Sequence, residues 1–231
     1  MKIELNKVYN MDCIELMQEM KAQGIKADWL ITDPPYGISF ASDYALCGGE
    51  QNGKTLCPKK QYLYKDWDDK RIDKKYFDLM FEVSKNQIIF GANYYTDYLP
   101  PTKSWLVWDK RCSEKMQNNF CDCEFMWCSQ GVARIFRYLY NGMLEGNMKN
   151  KQQRFHPTQK PLQIMYQLIN YYTKENDLIF DPFMGSFTTA VACHKLNRNF
   201  LGAEIDKDYY KLGSERLAKE QAQVSIFDII K

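Results

Sequence analysis

The chain has 231 residues, of which 45% are hydrophobic and 15% aromatic, with a formal charge of +2. That is too apolar for a disordered segment and enough chain for one sizeable core, so a single folded domain is expected. The start, Met1 to Lys7, lacks the apolar core of a signal peptide, and no apolar run approaches the roughly 18 residues of a membrane span, so the expectation is a cytoplasmic protein with no membrane contact and free thiols at its eight cysteines.

Short apolar segments alternate with longer segments of helical period, the pattern of an α/β sheet. The first helix is predicted over 13–22, with Asp12 as its cap. A strand over 28–32 follows, and Asp33-Pro34-Pro35-Tyr36 stands immediately after it. Ligands of open α/β sheets bind beyond the carboxyl ends of strands, so these four residues sit where chemistry is expected. Two consecutive prolines fix φ and remove two backbone donors, leaving a rigid loop with outward carbonyls. A rigid acceptor array suits an NH₂ group whose lone pair is delocalised into a ring. Asp33 and the Pro34 carbonyl can accept its two N–H bonds, and Tyr36 offers a face on which an extruded base stacks.

Residues 37–65 are polar, rich in Gly, Lys and Tyr, and match no regular element; a loop of that length is usually functional or mobile. A basic stretch overlaps it, with eight Lys or Arg against four acids over 54–75. A helix over 76–84 and strands over 87–90, 105–108, 124–128 and 132–139 come next. Cys112, Cys121, Cys123 and Cys128 crowd together here, but without a paired Cys-x-x-Cys knuckle they are read as thiols rather than zinc ligands. Over 134–160 six basic residues face one acid, Glu145, with Phe136, Tyr138, Tyr140 and Phe155 interleaved, a mixture that suits a polyanion with stackable bases.

Pro161 opens a helix over 161–173, and a strand over 177–180 leads into Asp181-Pro182-Phe183-Met184-Gly185-Ser186-Phe187-Thr188-Thr189 and a helix over 188–196. A small-residue turn between strand and helix lets a ligand approach the backbone, and an acid about 20 residues on can take ribose hydroxyls. Glu204, at the end of a strand over 199–204, is that acid. The turn lacks the repeated glycines that admit a pyrophosphate, so a nucleoside without phosphates fits better than a dinucleotide. A final helix is predicted over 207–222.

Asp-Pro-Pro-Tyr after a strand is similar to the catalytic motif of amino-group DNA methyltransferases, and Asp181-Pro182-Phe183 with its turn resembles their cofactor motif. The catalytic motif comes first, as in the permuted beta class, and the resemblance covers nearly all of residues 7–215. It implies a Rossmann-like S-adenosylmethionine-dependent methyltransferase fold, a mostly parallel sheet with helices on both faces, and no metal. It makes Asp33, Pro34, Pro35 and Tyr36 catalytic. Asp12, Cys13, Asp33, Thr158, Lys160, Asp181, Phe183, Gly185, Ser186, Thr188 and Glu204 would bind the cofactor, Thr158 and Lys160 within His156-Pro157-Thr158-Gln159-Lys160-Pro161. Asn93, Trp108-Asp109-Lys110 and Glu124-Phe125 resemble family positions more loosely. Phe187 stands where the family pattern has a second glycine and Met184 replaces a small residue, departures expected to narrow the pocket or weaken cofactor affinity.

The expected organisation is a methyltransferase domain over 1–222, with a short target-recognition insert at about 129–155 and a catalytic loop at about 37–65 folding over a base flipped out of double-stranded DNA. The resemblance implies N6-methyladenine in a short motif as the product, because the family's adenine enzymes more often carry Asp, and its cytosine-N4 enzymes Ser, at the head of the first motif. N4-cytosine methylation and a catalytically weak DNA-binding module of the same fold are the alternatives, with RNA or protein amides further off. The tail over 223–231 carries Gln223-Val224-Ser225-Ile226-Phe227, similar to the peptide by which bacterial proteins dock on the replication sliding clamp. Permuted enzymes of this kind are often dimers, so the resemblance also admits a homodimer.

Overall fold

The structure is a computed structural model, and it describes residues 1–38, 50–51, 54–55, 69–112, 121–141, 144–146 and 159–223. In chain order the elements are β1 (Lys7–Tyr9), α1 (Cys13–Ala22), β2 (Ala27–Thr32), β3 (Glu50–Gln51), β4 (Lys54–Thr55), α2 (Lys74–Glu82), β5 (Ser84–Phe90), β6 (Trp105–Asp109), β7 (Cys123–Cys128), β8 (Arg134–Arg137), β9 (Tyr140–Asn141), β10 (Leu144–Glu145), α3 (Leu162–Tyr172), β11 (Leu178–Asp181), α4 (Thr188–Lys195), β12 (Asn199–Ala203) and α5 (Lys207–Gln221).

Eight strands form one sheet in the order β1-β12-β11-β2-β5-β7-β6-β8. The first five are mutually parallel, and β7 runs against both of its neighbours. The side-chain period of two divides the core between the two faces. Trp29, Ile31, Ile88, Phe90 and Ile179 join the helices α3 and α4 on one side, whereas Leu30, Ile89, Phe180 and Leu201 join α1 and α2 on the other. Strands covered on both faces read as unbroken apolar runs, which is why β2 and the end of β5 were legible as short runs without alternation.

Local chemistry fixes the helix ends. The Asp12 carboxylate caps α1 by accepting from the Ile14 amide at 2.7 Å, and the helix buries Cys13, Leu16, Met17 and Met20, one stripe at helical spacing. Asp206 caps α5 by accepting from the amides of Asp208 and Tyr209. Pro161 stands one residue earlier than expected, at the cap of α3 and not in its first turn. The helix predicted over 76–84 ends at Glu82, because Ser84 already begins β5 while its hydroxyl donates to the Met80 carbonyl at 2.5 Å. The strand predicted over 132–139 is confined to Arg134–Arg137, at the rim of the sheet, where Val132 and Ile135 are exposed. Five strands were not assigned from the sequence: β1 and those of the two-residue hairpins β3-β4 and β9-β10.

Candidate active site

Five parallel strands bring five carboxyl ends to one edge of the sheet. Met11 and Asp12 follow β1, Asp33 follows β2, Gly91 follows β5, Asp181 ends β11 and Glu204 follows β12. All of them line a single cavity of about 670 Å³, together with Pro34, Pro35, Tyr36, Phe183, Gly185, Ser186, Thr188, Lys160 and Glu124. Every described residue expected to be catalytic or to bind the cofactor lines it, and Thr158 lies outside the described residues.

The two motifs are fastened to each other directly. Thr32, the last residue of β2, donates its hydroxyl to Asp181 Oδ1 at 2.7 Å. The Phe183 amide reaches the same oxygen at 3.1 Å, and Thr189 donates to Oδ2 at 2.6 Å. Asp181 is thus a buried brace between β2, β11 and α4, and burial pushes its carboxyl up to about 6 against those donors. Glu204 braces the other side. Its Oε2 accepts from the Gly185 amide at 2.7 Å and its Oε1 from the Asp206 amide at 2.8 Å, and burial pushes it up to about 7. Gly185 has φ +52, and a Cβ there would meet nothing closer than the Phe183 carbonyl, so the turn presents open backbone to the cavity.

Asp33 sits at the centre of a half-buried polar cluster. The Tyr36 hydroxyl donates to Oδ1, and the Lys160 ammonium lies 2.5 Å from Oδ2. Lys160 also approaches Glu124 at 3.4 Å, and Glu124 pairs with Lys110 at 2.9 Å. Burial raises the Asp33 carboxyl above its ordinary value while the Lys160 charge works against it. Burial, with the Asp33 charge second, holds the Tyr36 phenol well above its usual range, so it stays a donor. Burial works to raise Glu124, but the Lys160 and Lys110 charges prevail and hold it low. The loop itself is pinned by the Tyr95 hydroxyl, which donates to the Pro35 carbonyl.

Tyr36 was expected to offer a stacking face, and the structure stacks its ring on Tyr94, with centroids 4.9 Å apart and planes 20° apart. Gly91 makes room for that ring, because a Cβ there would run into Tyr36, and its φ of +60 suits glycine.

Phe187, expected to narrow the pocket, stands outside the cavity lining. Its backbone does adopt the left-handed conformation that a glycine would favour, at φ +60, but its ring turns away from the cavity and is 1% exposed against Tyr210 and Gly213 of α5. Met184 does line the cavity, and its methyl tucks over Gly202 of β12. Each bulky departure from the small-residue pattern is therefore accommodated by a glycine elsewhere, so Phe187 leaves the pocket its width.

Several site residues carried no sequence signal. Arg216, on α5, donates to the Ser186 carbonyl at 2.8 Å and to Thr188 Oγ1 at 3.0 Å, stiffening the turn. Nothing local marks it, since the contact spans about 30 residues. The Tyr94-Tyr95 pair after β5 was also passed over, although an aromatic doublet following a buried strand is a usable signal. Gly37 packs against the Arg71 backbone and Arg71 grips Asp97 with two bonds of 2.7 and 2.8 Å, so both ends of the 39–68 segment meet beside the cavity, where Ile38 and Ile72 line it. Apart from β3 and β4, the rest of that loop, the greater part of the 129–155 insert's second half, and residues 224–231 lie outside the described residues. Among the described residues no helix is long and apolar enough to cross a membrane.

Comparison with known proteins agrees with this arrangement. The model of the DNA methylase family of N6 and N4 type matches residues 93–215, more than half of the chain. The type II methyltransferase M2.LlaDCHI of Lactococcus lactis subsp. cremoris is 44% identical over 77 residues, 32% of this chain and only 29% of that protein's length. The solved structure of the M1.HpyAVI–SAM complex superposes with a TM-score of 0.57 at 23% identity, covering 91% of this chain and 98% of its own. The PvuII DNA methyltransferase, described as cytosine-N4-specific, does so with a TM-score of 0.55 at 14% identity, over 93% and 90%. The fold is that of the S-adenosylmethionine-dependent DNA methyltransferases, and with the family model matching more than half of the chain, the chain belongs to the DNA methylase family of N6 and N4 amino-methyltransferases.

Proposed function

We propose that this protein transfers a methyl group to the exocyclic amine of a base in double-stranded DNA, at N6 of adenine in a short motif, as a member of the permuted beta class. The observation that carries the reading is the pair of adjacent strand ends, Asp33 after β2 and Asp181 at the end of β11, opening into one cavity.

The cavity fits S-adenosylmethionine in size and donor set. Its volume lies in the usual range for small-molecule sites, roughly 300–1,000 Å³, and Gly185 leaves an uncovered backbone cradle beside the Glu204 carboxylate. Glu204 would hold the ribose, Phe183, Met184 and Ile205 the adenine, and Asp12, Cys13, Ser186 and Thr188 the remaining rim. When bound, this cofactor supplies an electrophilic methyl group. Asp33 and the Pro34 carbonyl would accept the two N–H bonds of the incoming amine, localising the nitrogen lone pair toward the transferring carbon. The protons of that amine need acceptors, and Asp33 accepts more strongly when ionised. Tyr36, held by Asp33 and Tyr94, would fix one wall against which the turned-out base packs. Positioning of two reactants supplies most of the acceleration in such a direct displacement, with no covalent enzyme intermediate.

N4 of cytosine is the second reading, favoured by the likeness to the PvuII enzyme; the same acceptors serve either amine. The tail Gln223-Val224-Ser225-Ile226-Phe227 remains a proposed docking peptide for the sliding clamp. The reading is tested by transfer of labelled methyl groups to duplex DNA: Asp33→Ala should lose at least about 100-fold in turnover while calorimetry shows cofactor binding within a few-fold of wild type. Unchanged turnover would sink the mechanism.

A further inference from the structure

Beyond the two motifs, four charged side chains from four separate segments alternate in sign through the cavity wall. Asp33 follows β2, Lys160 precedes α3, Glu124 lies on β7 and Lys110 follows β6. Successive contacts are 2.5 Å from Asp33 to Lys160, 3.4 Å from Lys160 to Glu124 and 2.9 Å from Glu124 to Lys110. All four side chains are at most 24% exposed, so water screens them poorly. The Lys160 ammonium is further confined between two rings, 5.3 Å from the centroid of Phe90 and 5.8 Å from that of Tyr36.

We infer that Lys160 is a positioning residue that keeps the Asp33 carboxylate ionised, and that Glu124, neutralised in turn by Lys110, sets how much of that ammonium Asp33 receives. The inference rests on the reading of Asp33 as acceptor for the amine. A carboxyl in so dry a place tends toward its neutral form, and a protonated carboxyl would offer the amine a donor where it needs an acceptor. An adjacent ammonium opposes that tendency. Were Lys160 alone with Asp33, it would also hold the carboxylate as a tight closed pair, a poor partner for a third group. Glu124 divides the ammonium between two carboxylates, and Lys110 keeps Glu124 from taking it outright. The other titratable groups facing Asp33 are Tyr36 from its own loop, whose donated hydrogen bond favours the ionised carboxylate, and Asp181 from β11, whose charge opposes it. The directions agree: burial raises Asp33, Lys160 lowers it and Glu124 raises it.

The test is a titration of the full-length protein labelled with ¹³C at aspartate carboxyl carbons, with the Asp33 signal assigned by its loss in Asp33→Asn. Lys160→Met should raise the Asp33 midpoint by about one unit or more, and Lys160→Arg should keep it near the wild-type value. Glu124→Gln should move it the other way, downward. A merely structural Lys160 would give no such opposed pair of shifts. An Asp33 midpoint that is unmoved in Lys160→Met, or that moves in the same direction in both variants, would overturn the inference. Should Lys160→Met fail to fold, the sign of the Glu124→Gln shift and the Lys160→Arg value decide the matter alone. Methyl transfer by the wild-type protein is read separately: opposed titration shifts without any transfer to DNA would overturn the functional reading and leave the charge chain standing.

Discussion

At the scale of single residues, the cavity is built from groups whose ionisation the fold controls. Glu204 is buried and pushed up to about 7, even though the amides of Asp206 and Gly185 favour its charged form. An acid raised in this way is neutral below its shifted value and ionised above it. Hydroxyls of a bound ribose would donate best to the ionised carboxylate, so cofactor affinity should rise as pH increases through about 7. Calorimetry from pH 5.5 to 8.5 (roughly 1.5 units either side) reads this directly, and Glu204→Gln should give a weaker and flatter profile. A wild-type affinity independent of pH would remove Glu204 from the cofactor contact. Asp181 is more fully engaged than Glu204, its oxygens accepting three bonds, from Thr32, Thr189 and the Phe183 amide, against two on Glu204. Thr32→Val should therefore cost stability, about 1–2 kcal/mol, as seen in a denaturant midpoint.

At the scale of elements, the informative case is the turn from β11 into α4. A glycine pattern would predict that a phenylalanine at 187 obstructs the ligand. The structure shows it as a helix-packing residue with a glycine-like backbone, its ring filling the space left by Gly213. Phe187→Gly should relieve about 1 kcal/mol of left-handed strain and lose about 3–5 kcal/mol of packing, a net destabilisation of about 2–4 kcal/mol visible in thermal unfolding. Gly213→Ala should destabilise by driving a methyl into the same ring. Cofactor affinity should barely change in Phe187→Gly; a large gain would mean the ring does narrow the site.

The same contrast explains what the sequence made legible. Strand-end motifs were readable because Asp33 and Asp181 each follow a short apolar run in unbroken succession, and the parallel order of β2 and β11 then makes them neighbours. The helix α1 was readable from its cap and its stripe. Contacts between distant segments were not: Arg216 on Ser186, Tyr95 on Pro35, and Lys160 between Asp33 and Glu124 depend on the crossover of strands, which no local pattern encodes. Strand β1 was missed because three residues carry too little periodicity, and β7 reads the same whichever way it runs.

At the scale of the whole molecule, five parallel strands assemble the cavity, so ligand binding and global stability are coupled. S-adenosylhomocysteine at 100 times its Kd should stabilise the protein by about 2.7 kcal/mol, raising the thermal midpoint by about 5–10 °C. NAD should give no comparable shift, for want of a glycine-rich turn that admits a pyrophosphate. Equal protection by both would point to a dinucleotide site instead.

The central claim is that Asp33 presents an acceptor to a base amine in DNA. The most direct measurement is single-molecule sequencing of genomic DNA from cells expressing the wild-type protein, beside cells expressing Asp33→Ala at equal level. A methylated amine at one short motif, present in the first and absent in the second, is the predicted result, and the modified base itself decides between adenine N6 and cytosine N4. The same modification in both, or none in either, would contradict the account.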